Sequence, residues 1–257
     1  MPNGNCESLL STRPKVIGKH GAGTDNIDVE TARARSIEIC STPGVNADSV
    51  ADLAIAMALS LLRNLQLHTQ ALRNGTPLEG SERIGLEMSE VPIGILGMGA
   101  IGRSVAARLC GFGSKTSGYD PYLPDNLWPN SVRRMFSIEE ALSSSRLLFV
   151  HMPLTNESRK LLGRDALASM PAGSYLVNCA RGGIVDEQAL SEALITGHLA
   201  GAASDVFDVE PPPADHPLLA QPNFIATPHL GASTNAGLSR VGVAIATKVV
   251  ERLQALT

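Results

Sequence analysis

The stretch Ile93-Gly94-Ile95-Leu96-Gly97-Met98-Gly99-Ala100-Ile101-Gly102 decides the fold. A short apolar strand pattern runs into the spacing G-x-G-x-x-G, and a helical pattern follows from Ile101 to Cys110. Strand, glycine turn and helix in that order form a dinucleotide-binding βαβ unit. Gly97 permits the tight turn, Gly99 lets the backbone approach a pyrophosphate, and Gly102 lets the helix pack closely. Ala100 and Ile101 open the helix, whose unpaired N–H groups point towards the phosphates. Asp120 follows Gly102 by 18 residues, at the end of the next apolar strand. A carboxylate there accepts both adenosine-ribose hydroxyls and repels a 2′-phosphate, which favours NAD over NADP.

Working outward, short apolar runs bounded by Gly, Pro or Asp alternate with helical patterns, which predicts a doubly wound parallel sheet of the Rossmann type. The expected strands are Ile93–Leu96, Thr116–Tyr119, Leu147–His151, Tyr175–Asn178, Ala200–Asp205 and Phe224–Thr227, with a weaker one at Val132–Met135. Helices are expected at Ile101–Cys110, Ile138–Leu142, Asp186–Thr196 and Ala236–Leu256. Upstream, Lys15–Gly18 and Ile37–Cys40 read as strands around a helical Val29–Arg35. Asp48 or Ser49 is placed to cap a long apolar helix through Leu65, and Arg73 to Glu90 reads as an irregular arm.

Composition narrows the function. A chain of 257 residues that is 44% hydrophobic can bury one large core or two smaller ones. Net charge of −4 and 4% aromatics leave no footprint for nucleic acid or an anionic membrane, so small-molecule chemistry is expected. Cys6, Cys40, Cys110 and Cys179 are far apart and lack metal-ligand spacing, which points to no metal site and a reducing, cytoplasmic setting. The segment Met1 to Leu10 has no basic region leading into an apolar one, and no apolar run is long enough to span a membrane.

Three further segments fall where strands of such a sheet end: Asn178-Cys179-Ala180-Arg181-Gly182-Gly183, residues 205–212 with Glu210, and Thr227-Pro228-His229-Leu230-Gly231. Ligands of open α/β sheets bind outside those ends. An Arg, a Glu and a His delivered there suit hydride transfer to or from a hydroxy acid. His229 is the acid–base, Arg181 the carboxylate anchor, and Glu210 the group that orients and stabilises imidazolium.

The chain resembles the D-isomer-specific 2-hydroxyacid dehydrogenases, especially their phosphoglycerate dehydrogenase-like members. The likeness rests on residues 15–18 and 21–28, Thr42-Pro43-Gly44-Val45-Asn46, Ser49-Val50-Ala51-Asp52, the glycine fingerprint, His151-Met152-Pro153-Leu154-Thr155, the three segments above, and Gly231-Ala232-Ser233-Thr234. The resemblance implies that Arg181, Glu210 and His229 are catalytic and that Asp205 holds the nicotinamide carboxamide. It implies that Cys179 and Ala180 line the nicotinamide pocket through backbone, and that Pro153 and Thr155 border the cofactor. His151 reads as structural or cofactor-adjacent rather than catalytic. The resemblance also implies a smaller flavodoxin-like substrate domain, residues 1–48 and 229–257, against an NAD domain of residues 49–228.

In that smaller domain Gly21, Ala22 and Gly23 hold the substrate carboxylate through N–H groups, and Asn46 orients the loop or a substrate oxygen. The same likeness implies that the Ser49–Leu65 helix and the Arg73–Glu90 arm form a homodimer interface, the alternative being packing within one chain. Relatives carry more chain ahead of Lys15, so the substrate domain is expected to be incomplete here. Pro92 stands where relatives commonly have a basic or polar residue, and Ala236 where they often have an acid. The rival readings are an NAD-sensing scaffold like the corepressors that share the fold, and a truncated paralogue without catalysis.

Overall fold

A computed structural model describes residues 12–24 and 27–256. Cys6, the Met1 to Leu10 start, and Asp25 and Asn26 of the 21–28 motif lie outside them. The chain divides into two compact units, Val50–Gly231 and the pair Met1–Ser49 with Ala232–Thr257.

The larger unit is a seven-stranded sheet. Its strands are β3 (Ile93–Leu96), β4 (Thr116–Tyr119), β5 (Arg133–Arg134), β6 (Leu147–Val150), β7 (Ser174–Asn178), β8 (Leu199–Ser204) and β9 (Phe224–Ala226). All pairs are parallel, in the order β5-β4-β3-β6-β7-β8-β9. Both faces are covered, which is why β3 and β6 read as unbroken apolar runs rather than alternating ones. Ile93, Ile95, Leu147 and Phe149 point into one core layer, with α2 (Ala47–Leu62) and α4 (Ala100–Cys110). Leu96, Leu148 and Val150 point into the other, with α5 (Ile138–Ser143), α6 (Arg164–Ala168) and α7 (Glu187–Ile195). Each such side chain contributes about 1.5–3 kcal/mol when fully buried, so the two layers outweigh local propensity in setting the strands.

From β3 the chain winds outward through β4 and β5, then returns to place β6 on β3's other side. That reversal opens a crevice at the carboxyl ends of β3 and β6, where doubly wound sheets take their ligands. Gly97, with φ of 89°, makes the turn, and a Cβ there would lie 2.7 Å from the His151 carbonyl oxygen.

The smaller unit pairs β1 (Val16–Gly18) with β2 (Glu38–Cys40) in parallel through α1 (Val29–Ala34). The long α8 (Asn235–Ala255) covers them: a Cβ on Gly18 would lie 2.7 Å from Val249 Cγ2, so only glycine admits the helix this closely. Thr234 caps α8 by accepting from Gly237 N at 2.9 Å.

Two expectations fail locally. Neither Asp48 nor Ser49 caps the long helix: α2 begins at Ala47, and Ser49 Oγ lies 3.0 Å from Thr234 Oγ1. The helix also stops at Leu62, because Leu62 O accepts from Leu86 N at 2.8 Å as the arm crosses its end. Asn64 turns left-handed, with φ of 50°, and α3 (Leu65–Arg73) restarts from it. The arm itself holds two short 3₁₀ turns, Gly80–Arg83 and Met88–Glu90. The five-residue α6 has no amphipathic period to betray it in sequence.

Gly94 and Gly99 separate packing from ligand space. A Cβ on Gly94 would meet Ser145 Oγ at 2.1 Å, whereas one on Gly99 meets nothing within 4 Å. Gly94→Ala is therefore expected to cost about 1–3 kcal/mol of unfolding free energy by overpacking. Gly99→Ala should unfold in urea almost as the unmodified chain does, and equal losses for both would contradict the packing described.

Candidate active site

Three loops leave the carboxyl ends of β7, β8 and β9. In the first, Asn178 turns its amide back on the chain: Nδ2 donates to Arg181 O and Oδ1 accepts from Ala180 N, both at 3.1 Å. This fixes where Arg181 leaves the strand. A Cβ on Gly182 would lie 2.0 Å from Phe207 O, so glycine lets the loop after β7 lie against the loop after β8. On that second loop Glu210 Oε1 accepts from Phe207 N at 3.1 Å, while Oε2 lies 2.8 Å from His229 Nδ1. Arg181, Glu210 and His229, separate in sequence, thus share one end of the sheet.

His229 has a positive φ of 55°, and two bonds from its own N–H hold it there, to Asp205 O at 2.9 Å and Thr227 O at 3.0 Å. Asp205 is 2% exposed. Its Oδ1 accepts from Thr227 Oγ1 and Leu230 N, each at 2.6 Å, and Oδ2 from Gly231 N at 2.8 Å. The family likeness implies that Asp205 holds the carboxamide; in the fold both its oxygens accept from the His229 loop.

The hydrogen bond to Glu210 raises the His229 pKa above the ordinary histidine value; burial opposes this, and the charges of Glu210 and Asp205 add to it. Burial raises Glu210, yet the bonds from His229 and Phe207 outweigh it and leave the carboxyl below its usual range. The Arg181 charge acts on both, favouring the carboxylate and opposing imidazolium. The pair therefore favours Glu⁻ and His⁺, with Nδ1 committed to Glu210.

A cavity of about 510 Å³ lies at the end of β3 and β4, lined by Gly97, Asp120, Pro153 and Thr155 among others. Tyr122 and Glu157 also line it, and Tyr122 donates to Glu157 Oε2 at 3.2 Å. Neither had a motif to mark it. Asp120 accepts from Met98 N and Tyr122 N at 2.9 Å and from Leu123 N at 3.1 Å, so it also fixes the glycine turn against the strand end. Ala100 and Ile101 open α4, Gly102 is buried under the turn, and the N-cap Gly99 supplies no side-chain cap. The open space at Gly99 and the uncapped N–H groups fit a pyrophosphate.

Cys179 and Ala180 are buried, and the Cys179 thiol packs 3.8 Å from Met57 Sδ, with burial pushing its pKa up. That agrees with a packed side chain rather than a nucleophile. His151 is buried against Phe149, pushed down to about 3 by burial, and neither ring nitrogen has a partner among the described residues. Gly21, Ala22, Gly23 and Asn46 belong to the smaller unit. There Gly21 O accepts from Thr42 N at 2.9 Å, and Asn46 Oδ1 is buried without a partner among the described residues. Among the described residues no three His, Cys, Asp or Glu side chains are grouped to hold a metal. No single described helix is long and apolar enough to cross a membrane; α2 and α3 reach that composition only together, across a 59° bend.

Residues 55–231 match the family described as D-isomer specific 2-hydroxyacid dehydrogenase, NAD binding domain. The chain belongs to this family. Its larger unit is thus an NAD-binding domain. Among relatives, a D-3-phosphoglycerate dehydrogenase of Methanocaldococcus jannaschii is 39% identical over 241 residues, 93% of this chain and 46% of that protein. A hydroxypyruvate reductase of Thermotoga maritima is 37% identical over 245 residues, 93% of this chain and 78% of its own length. The crystal structure of D-lactate dehydrogenase from Aquifex aeolicus, complexed with NAD and lactic acid, superimposes with a TM-score of 0.85 at 29% identity, covering 97% of this chain and 79% of that one. The chain spans about half the length of the phosphoglycerate dehydrogenases that it matches.

In this family member the Glu210 contact is what lifts the His229 pKa. Glu210→Gln is expected to lower the His229 midpoint by about one unit, since a hydrogen-bonded carboxylate commonly shifts imidazole by that much. An NMR titration of the ring without ligand checks it, and an unmoved midpoint would remove Glu210 from this role.

Proposed function

We propose that the chain carries the hydride-transfer site of an NAD-dependent oxidoreductase acting at C2 of a small 2-hydroxy or 2-keto acid, in the manner of phosphoglycerate dehydrogenase. The observation that carries this reading is the 2.8 Å contact between His229 Nδ1 and Glu210 Oε2 at the strand ends, with Arg181 acting on both. Bound NAD(H) accepts or supplies the hydride. Arg181 holds the substrate carboxylate as a charge-assisted pair. His229 Nε2 removes the hydroxyl proton in oxidation and returns it to the developing alkoxide in reduction, while Glu210 keeps the ring oriented and stabilises imidazolium.

Gly97, Gly99, Ala100, Ile101 and Gly102 hold the pyrophosphate, Asp120 the ribose, Pro153 and Thr155 the groove wall, and Cys179 and Ala180 the nicotinamide side. For Gly21, Ala22, Gly23 and Asn46 the substrate role rests on the family likeness alone, as does the carboxamide contact of Asp205. Leu65, Leu72 and Ile84 are exposed on α3 and the arm, which supports reading that surface as the place for a second copy. The relatives above are named as enzymes, so the scaffold reading draws no support from them.

Two measurements test the proposal. His229→Asn is expected to slow reduction across a panel of 2-keto acids by roughly 100-fold or more, with NADH affinity almost unchanged, because proton transfer commonly supplies that factor. Turnover that survives the substitution would sink the assignment. In calorimetry NADP should bind about tenfold or more weakly than NAD, since a like charge opposed to Asp120 costs upwards of 1.4 kcal/mol. Asp120→Ser should narrow that gap while weakening NAD as well, given the three N–H groups it ties down; equal affinities in the unmodified protein would exclude Asp120 from selecting the cofactor.

A further inference from the structure

Behind the Glu210 loop lies a second His–Glu pair, which the mechanism above does not use. Glu187 is the first residue of α7 and His216 caps the 3₁₀ turn Pro217–Ala220. Their side chains are 20% and 14% exposed, and His216 Nε2 lies 3.0 Å from Glu187 Oε2. The other imidazole nitrogen, Nδ1, accepts from Leu218 N at 3.3 Å, so this ring is the neutral tautomer with its proton on Nε2, donated to Glu187. The remaining oxygen, Glu187 Oε1, accepts from Asp208 N at 2.8 Å. Asp208 stands beside Phe207, whose N–H fixes Glu210 at 3.1 Å. The Phe207 ring lies edge-on to His216, with centroids 5.7 Å apart.

We propose that Glu187, backed by His216, is a positioning residue for the acid–base pair: it clamps the loop after β8 through Asp208 N–H and so sets where Glu210 meets His229. The chemistry of the clamp demands a carboxylate. Both Glu187 oxygens accept, one from a ring N–H and the other from a backbone N–H, whereas an amide accepts on one side only. Glu187→Gln therefore sets two donors against each other whichever way the amide turns. The charges that act directly on His229, those of Glu210, Asp205 and Arg181, are left unchanged by this variant.

The inference rests on the proposed roles of His229 and Glu210, but its primary test needs no turnover. In ligand-free protein, Glu187→Gln is expected to lower the NMR titration midpoint of His229 by about half a unit, as the Glu210 contact is lost part of the time. His216→Asn, which keeps an oxygen to cap Leu218 but is too short for Glu187, should move it in the same direction. Keto-acid kcat/KM should fall roughly tenfold, as expected for a loosened catalytic group, with NADH affinity within about twofold of the unmodified value. In the unmodified chain the Asp208 amide should exchange with solvent much more slowly than other loop amides. A His229 midpoint that stays put in both variants, or an unprotected Asp208 amide, overturns the clamp. Turnover that survives His229→Asn would instead overturn the acid–base reading and leave the clamp measurements standing.

Discussion

The buried carboxylate of Asp205 is the constraint on which the rest of the site depends. A charge taken out of water costs several kcal/mol unless polar groups replace the lost solvent, and each hydrogen bond to a charged group returns about 1.5–3 kcal/mol. Asp205 meets that demand with Thr227 Oγ1, Leu230 N and Gly231 N, all from the chain that follows β9. The consequence is positional. Residues 227–231 can satisfy the carboxylate only by wrapping around it, and His229 is held at positive φ in the middle of that wrap. The same negative charge helps favour imidazolium on His229.

Around this anchor the carboxyl edge of the sheet carries two kinds of polar group. At β3 and β4 the polar groups are mostly backbone: the glycine turn, the uncapped α4 and the N–H groups drawn in by Asp120. Backbone donors suit phosphates and ribose, which vary little between substrates. At β7, β8 and β9 the polar groups are side chains, and Arg181, Glu210 and His229 bring three chemical types to one place. Asn178 fixes the backbone from which Arg181 leaves its strand, and the Phe207 N–H fixes the Glu210 carboxylate. A site made this way depends on loops whose backbone is fixed as firmly as a strand.

The two His–Glu pairs of this unit show how context divides one chemistry into two uses. His229 and Glu210 are half exposed, at 49% and 37% of their side-chain surface, and the histidine keeps Nε2 for other partners. His216 and Glu187 are more deeply set, and both ring nitrogens of His216 are occupied. One pair leaves a ring nitrogen unbonded among the described residues; the other accepts from the backbone N–H groups of Asp208 and Leu218. The difference lies in what the second ring nitrogen meets, a feature of packing rather than of residue type.

Much of this was legible in sequence. The strands of the larger sheet, its parallel winding and the glycine turn followed from apolar runs broken by Gly and Asp, because a sheet buried on both faces leaves a continuous hydrophobic imprint. Asp120, Arg181 and His229 were expected at strand ends because each closely follows such a run, with Glu210 further along the loop after β8, and the fold places them there. What sequence lacked were features made by segments meeting at a distance. Leu86 ends α2 at Leu62; Tyr122 reaches Glu157 across the cavity; Glu187 meets His216 and Asp208; Asp205 spends its oxygens on the loop of His229. Periodicity and local motifs record which face of an element is apolar, and so determine the elements and the ends where chemistry gathers. Which polar atom satisfies which other depends on side chains brought together from far along the chain, and only the tertiary structure decides that.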